Sequence, residues 1–308
     1  MHVFIAGATG AIGQPLLRAL SAAGHTVTAM VRSDTDRERL RSANVHTELA
    51  DAFNESAVKE ALMRARPDAV IDQLTSLPAQ PDKIQERLPG DVRLRIEGGG
   101  NLFRMAERCG VRRYLQQSSG FFLRAGVGLA DESEPMAITA SGNIATSARM
   151  YAAVEARALS ATKMETVVLR YGFFYGPGTW YRRDGAAAET VRKGQFPIVG
   201  NGQGVWSFVH VEDAARATVS ALEAQPGVYN IVDDDPFTLA DWLPRFAQWV
   251  GGPDPAHVSE EEARRTSGED AVYYATRLRG ASNLKARRVL AFQPRPLAWI
   301  HLESTLAR

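Results

Sequence analysis

The chain has 308 residues, 45% hydrophobic and 23% charged content, and a formal net charge of +1. That is enough for a large buried core and too balanced in charge to recruit nucleic acid or an anionic membrane surface. A single cysteine, Cys109, excludes an internal disulfide framework and fits a reducing compartment.

The N-terminus reads "MHVFIAGATG", with no basic leader and no small-residue cleavage site, and no apolar run spans a bilayer. A cytoplasmic protein is therefore expected. "HVFIAG" is a short, wholly apolar strand, as in a strand covered on both faces. "QPLLRALSAAG" carries Leu16, Leu17 and Leu20 at helical spacing and stops at Gly24. "HTVTAMV" is a strand, "SAVKEALMRA" a helix and "PDAVIDQL" a buried strand. "NLFRMAERCG" is a helix and "VRRYLQQSS" a strand; "ARMYAAVEARALSA" is a helix and "ETVVLRYG" a strand. "VEDAARATVSALEA" and "GVYNIV" close the series as helix and strand. The alternation predicts an α/β fold, a doubly wound parallel sheet with helices on both faces. Residues 173–206 and 233–308 break the rhythm, the first rich in Gly and Pro, the second mostly helical. They are expected to form a small, mostly helical substrate domain, with residues 1–172 and 207–232 forming the dinucleotide-binding domain.

"GATGAIG" joins the first strand to the first helix. Gly7, Gly10 and Gly13 let the backbone turn tightly, approach a diphosphate and pack helix on strand, with Thr9, Ala11 and Ile12 between them. The helix start then offers free N–H groups and a positive dipole end to the phosphates. No G-K-[S/T] follows, so this is not a nucleotide-triphosphate loop.

With its G-x-x-G-x-x-G spacing the chain resembles the short-chain dehydrogenase/reductase family, in its extended, epimerase-like branch. "DAVIDQLT" is similar to the family's strand lining the cofactor, and "VRRYLQQSS" to the strand ending in the catalytic serine. "LRYGFFYGPG", "FVHVEDAARA" and "SNLKARRVLAFQP" resemble three further family stretches, so the likeness covers nearly the whole chain. It implies a Rossmann fold and a nicotinamide dinucleotide, lined by the glycine loop and by Ala52, Gln73, Leu74, Thr75, Ser118 and Tyr171. It also implies a small-molecule carbonyl substrate. Related folds pair through helices flanking the sheet, so a homodimer is an expectation by analogy alone.

A carboxylate at the end of the second strand would favour NAD, and Val31 stands there instead. Arg32 and Ser33 follow, and a guanidinium with a hydroxyl suits a 2′-phosphate. NADP(H) is therefore the expected cofactor; NAD(H) stays open, because Asp34 is within reach of a ribose. Asp51 resembles the family residue that holds the adenine amino group; a turn or helix cap is the other reading.

Reduction of a ketone leaves negative charge on oxygen, which needs a proton or a donor. The family supplies a tyrosine with a lysine four residues on, one helix face bringing them together, and a serine on the neighbouring strand. Ser119 is the better candidate for that serine, and Ser118 is expected to face the cofactor or cap a turn. The tyrosine–lysine pair is absent. If Tyr151 is the family tyrosine, Glu155 replaces the lysine, and a carboxylate there would raise the phenol pKa. In a second frame, which the distance to "LRYG" fits better, Ser147 takes the tyrosine place and Tyr151 the lysine place. Arg95 stands where the family often has asparagine, Asp72 where it has histidine, Gly99 where it has threonine, and Tyr171 where it has proline. The cofactor scaffold is thus kept while proton delivery is rebuilt, as in atypical members. Tyr151 alone, or the hydroxyls of Ser119 or Ser147, remain as proton sources.

The six histidines have no i,i+4 or H-E-x-x-H spacing, so no metal site is expected, and no G-x-S-x-G suggests a hydrolase. In "YGPGTWYRRDG", Trp180, Tyr181, Arg182 and Arg183 are expected to line the substrate pocket together with Trp206. The plainer reading is a surface loop anchored by Trp180. These observations predict an NADPH-dependent ketone reductase acting on a cyclic or aromatic compound. A nucleotide-sugar epimerase or reductase, and a non-catalytic NADP-binding sensor or scaffold, are the alternatives.

Overall fold

The computed structural model describes residues 1–41, 45–78, 80–140 and 142–300. Strands β1 (His2–Ala6), β2 (Thr26–Val31), β3 (His46–Leu49), β4 (Ala69–Asp72), β5 (Arg113–Ser119) and β6 (Glu165–Tyr171) come from the first part of the chain. They alternate with helices α1 (Gly13–Ala22), α2 (Asp34–Arg39), α3 (Glu55–Ala65), α4 (Ile84–Arg93), α5 (Gly99–Arg108) and α6 (Gly142–Leu159). Later elements are β7 (Phe173–Tyr175), α7 (Ala186–Arg192), β8 (Ile198–Val199), β9 (Val205–Trp206), β10 (Phe208–His210), α8 (Val211–Ser220), β11 (Gly227–Ile231) and β12 (Phe237–Thr238). The chain continues through α9 (Leu239–Val250), β13 (His257–Val258), α10 (Glu260–Ser267), α11 (Glu269–Thr276) and α12 (Leu284–Leu290).

Seven strands form one parallel sheet in the order β11-β6-β5-β4-β1-β2-β3. Successive strand residues point to opposite faces. Val3 and Ile5 of β1 therefore join Leu16, Leu17 and Leu20 of α1 and Ala214 of α8 on one face, while Phe4 and Ala6 join Val58 and Leu62 of α3 and Leu102 of α5 on the other. This two-sided burial is why the strands read as continuous apolar runs. The chain winds from β1 outward to β3, then crosses back to β4 on the other side of β1. The β1/β4 junction is the switch point where open α/β sheets bind ligands, beyond the strands' carboxyl ends.

Three short strand pairs, β7 with β10, β9 with β12 and β8 with β13, build a second layer over that edge. Helix α9 buries Leu239, Trp242, Leu243, Phe246, Ala247 and Val250, one face of a 3.6-residue repeat. The Thr238 hydroxyl accepts from the Asp241 N–H at its start, and Gly251 ends it at φ 74°. Trp242, Phe246 and Trp299 pack there with Tyr175 and Phe208. The same core takes Phe122, Leu123, Ala130 and Met136 from the loop after β5.

Candidate functional site

The glycine loop is shaped by close approach. Gly7 has φ +92°, and a Cβ there would lie 2.3 Å from the Gln73 carbonyl oxygen at the end of β4. A Cβ on Gly13 would lie 2.1 Å from the Ala8 carbonyl oxygen, so α1 packs on the loop only without a side chain. On Gly10 it would meet only the Gly7 oxygen, at 3.3 Å. Thr9 and Ala11 lie exposed at the loop tip, whereas Ile12 is buried. Ile12 caps α1 without a side-chain bond, and the first turn carries no acid. The Gly13 N–H is taken by the Gly10 oxygen at 3.0 Å and Pro15 has none, so the Gln14 N–H and the dipole are left for an anion, and the loop fits a dinucleotide's diphosphate.

Arg32 is exposed and has no hydrogen bond or ion pair among the described residues. Ser33 caps α2, accepting from the Asp36 N–H at 3.1 Å and donating to its carboxylate at 3.0 Å. Asp34 pairs with Arg37 at 2.6 Å. Asp51 accepts from the Phe53 N–H at 3.0 Å, which is the turn reading, and Asn54 rather than Asp51 caps α3. The Ala52 carbonyl is held by Asn101 at 2.9 Å. Gln73 donates to the Tyr171 hydroxyl at 3.0 Å, and that hydroxyl also meets Thr218 at 2.7 Å. Burial pushes the Tyr171 phenol up to about 12. Its side chain is thus core on the α1 and α8 face, and only its backbone borders the site, accepting from the Gly120 N–H at 2.8 Å. Leu74 is buried, and the Thr75 hydroxyl donates to Asp91 at 3.0 Å.

Beyond β5 and β6 lies the reacting end. Ser118 pairs in register with Arg170 and Ser119 with Tyr171. The Ser118 hydroxyl donates to Glu155 at 2.5 Å, and Arg170 grips the same carboxylate at 2.8 and 2.7 Å. This corrects two expectations. Ser118 is committed to α6 rather than to the cofactor, because alternate residues of a strand face opposite ways. Glu155 is neutralised by Arg170 and does not act on the Tyr151 phenol. That phenol is raised first by burial, lowered by the Arg95 charge and raised by Asp91. Ser119 turns the other way, its hydroxyl accepting from the Phe121 N–H at 3.3 Å.

Tyr151 is 6% exposed, and Ser147, one turn earlier on α6, is equally buried. The Tyr151 ring stacks on Phe122, centroids 5.6 Å apart, and the Arg95 guanidinium carbon lies 5.2 Å from its centroid. Phe121 stacks on Phe173 at 3.9 Å, Phe173 on Trp206 at 4.4 Å, and Tyr274 lies 6.4 Å from Phe122. Trp206 donates its indole N–H to the Tyr274 carbonyl at 3.0 Å. These rings form one aromatic cluster, with Phe122 and Trp206 buried and Phe121, Phe173 and Tyr274 half-buried. Of the loop expected to line the pocket, only part lies against it. Tyr181 is buried behind Trp206 against Phe208, Trp242 and Phe246, and Trp180 is half-buried on the same core. Arg182 pairs with Asp184 at 3.2 Å and Arg183 lies over Trp249. Those two arginines line a separate surface cleft with Tyr175, His210 and Arg295. For Phe121 and Phe122 the sequence signal is "GFF" directly after the serine, while no motif marks Phe173 or Tyr274 as site residues.

The profile of the NAD dependent epimerase/dehydratase family matches residues 3–232. The chain belongs to that family. It is 39% identical over 302 residues to a "3-diazoavenalumate denitrifying reductase" of a Streptomyces sp, covering 97% of this chain and 98% of that one. It is 26% identical to a "4-hydroxy-2-methyl-3-oxo-4-farnesyl-3,4-dihydroquinoline-1-oxide ketoreductase" of Stigmatella aurantiaca, covering 96% and 92%. In fold it superposes on a Thermus thermophilus UDP-glucose 4-epimerase in complex with NAD at TM-score 0.73, 24% identity, covering 97% of this chain and 96% of that one. The protein is an NAD(P)-dependent oxidoreductase. Among the described residues no helix is long and apolar enough to cross a membrane, and no group of three His, Cys, Asp or Glu stands where it could hold a metal ion.

Proposed function

We propose that this enzyme is an NADP(H)-dependent reductase of a planar, aromatic or cyclic small molecule. The observation that carries the reading is the cluster of Phe121, Phe122, Phe173, Trp206 and Tyr274, which stacks on the Tyr151 ring through Phe122 and meets the Ser119 hydroxyl through the Phe121 N–H, since stacked rings select a flat apolar acceptor. The cofactor, when bound, supplies a hydride. Gly7, Gly10, Gly13 and the start of α1 hold its diphosphate, with Thr9, Ala11 and Ile12 shaping the loop. Arg32 takes the 2′-phosphate, a role supported by its exposed guanidinium, which has no partner among the described residues. Ser33 and Asp51 border that end, and Ala52, Gln73, Leu74 and Thr75 shape the adjoining wall.

In the ketone reading, the acceptor carbonyl hydrogen-bonds to Ser119. Its π pair moves onto oxygen as the carbon gains hydride, and the oxygen takes a proton from the Tyr151 phenol, directly or through Ser147. The Stigmatella relative supports this reading. A second reading follows from the more similar Streptomyces relative, named for removal of a diazo group. Hydride added to the carbon of an aryl diazonium releases dinitrogen with the former C–N bonding pair and needs no proton, which suits a site without a lysine-assisted phenol.

The test is purified protein with NADPH and a panel of aromatic ketones, quinones and aryl diazonium salts. NADPH absorbance, alcohol formation and released nitrogen are followed. Alcohol supports the first reading and nitrogen the second. A panel without turnover, at saturating NADPH, refutes both.

A further inference from the structure

Arg95 is a buried cation with an incomplete set of partners. It is 4% exposed, and its Nε donates to Asp91 at 2.8 Å, itself 2% exposed. Its Nη2 has no partner among the described residues, although a buried guanidinium N–H left alone is costly. It sits on the π-helical turn Leu94–Gly98 between α4 and α5, and such turns in a helical run often mark functional positions. That turn packs against α6, and the guanidinium carbon lies over the Tyr151 ring.

Asp91 carries the arrangement further. Its other oxygen accepts from the Thr75 hydroxyl at 3.0 Å and from the Ser76 N–H at 2.6 Å, on the loop after β4. One chain of contacts thus runs from the cofactor wall at Thr75 through Asp91 and Arg95 to Tyr151. No lysine lies four residues beyond Tyr151, and the carboxylate found there is occupied by Arg170.

We propose that Arg95 is the positioning residue that supplies the cationic support for the Tyr151 phenol, held against the ring from the π-helical turn by Asp91. When the Tyr151 oxygen gives up its proton to the acceptor oxygen, the negative charge is shared between that oxygen and the ring, over which this guanidinium lies 5.2 Å from the centroid, and solvent returns the proton afterwards. The role in turnover rests on the ketone reading. The charged and titratable groups around the phenol are Arg95, Asp91 on α4 and Tyr274 on α11, and burial opposes the guanidinium. Arg95 therefore holds the phenol below where burial alone would leave it.

The experiment places 3,5-difluorotyrosine at position 151 of the full chain, so that the phenol titrates where the fold survives, and follows its absorbance against pH. Arg95→Met should move the midpoint upward by about one pH unit or more, a tenfold or greater loss of acidity. Arg95→Lys should restore most of it, and also serves if Arg95→Met folds poorly. In parallel, the natural chain is assayed on the most reactive ketone of the panel. Arg95→Met and Tyr151→Phe should each lower kcat about tenfold or more, and the double variant should be little worse than either, because they act as one unit. An unmoved midpoint overturns the proposal whether or not any ketone is reduced. A shifted midpoint in a protein that reduces no ketone upholds the pair and refutes only the ketone reading.

Discussion

Replacing Glu155 with lysine recreates the Tyr-x-x-x-Lys spacing of the family, and the structure predicts that it destroys the site. Glu155 is 5% exposed, sits between Arg170 and Ser118, and takes charge-assisted bonds at 2.8 and 2.7 Å from the guanidinium. A lysine there loses all three contacts and puts a second cation against Arg170 in a dry interior. Removing one partner of a buried pair costs about 3–5 kcal/mol, and the like charge adds to it. At roughly 2–4 °C per kcal/mol for chains of 150–250 residues, the midpoint of thermal unfolding should fall by about 6 °C or more. The assay is thermal and urea unfolding of Glu155→Lys beside a Glu155→Met, Arg170→Met double variant. The double variant removes both charges and should unfold within a few degrees of the natural chain. If Glu155→Lys is as stable as the natural chain and gains reductase activity, the carboxylate is a displaced catalytic position and the reasoning fails.

Arg32→Ala should weaken NADPH binding by about tenfold to a hundredfold, since hydrogen bonds to charged groups contribute about 1.5–3 kcal/mol. NADH affinity should change less than threefold, and calorimetric titration of both nucleotides separates a 2′-phosphate contact from a general loss. Gly13→Ala should abolish nucleotide binding or soluble expression, because its Cβ would overlap the Ala8 carbonyl at 2.1 Å; nucleotide affinity equal to the natural chain's contradicts the packing described. Asp233 is buried, and burial with the Asp235 charge beside it pushes its carboxyl well up. The folded chain then keeps a proton that the unfolded chain loses above about pH 3.9, so this side chain lowers stability as pH rises from there to its folded value. Asp233→Asn should accordingly be more stable than the natural chain at pH 8 and equal to it near pH 3.5, by urea unfolding at both. A constant difference across pH contradicts the sign.

Much of the sheet could be read directly because its strands are buried on both faces and its first loop needs glycine at fixed places. Strand β3 is not legible because "HTEL" lies at the sheet edge, with its ends exposed and no apolar run. Helix α4 is hidden because "LPGD" breaks the helical pattern within it, Pro89 standing inside the helix. The partners of Glu155 are not legible in the sequence for a different reason. Helical spacing identifies neighbours on one helix, and its partners come from β5 and β6, where Ser118 and Arg170 are side by side in register. Arg95 was visible only as a substituted position. Its contact with Tyr151 joins residues 56 apart through a π-helical turn that a "GGG" run does not announce. Tyr181 reads as pocket lining by composition, yet it fills space between Phe208 and Trp242, since a ring that size is worth more buried than exposed.

The most direct measurement is the fate of deuterium carried at C4 of NADPH, with each prochiral face labelled in turn. One labelled form should pass its deuterium to the aromatic product, at the carbinol carbon of a ketone or at the carbon that loses nitrogen. Product that forms with neither label transferred, or NADPH left unconsumed across ketones, quinones and diazonium salts alike, contradicts a hydride-transferring reductase.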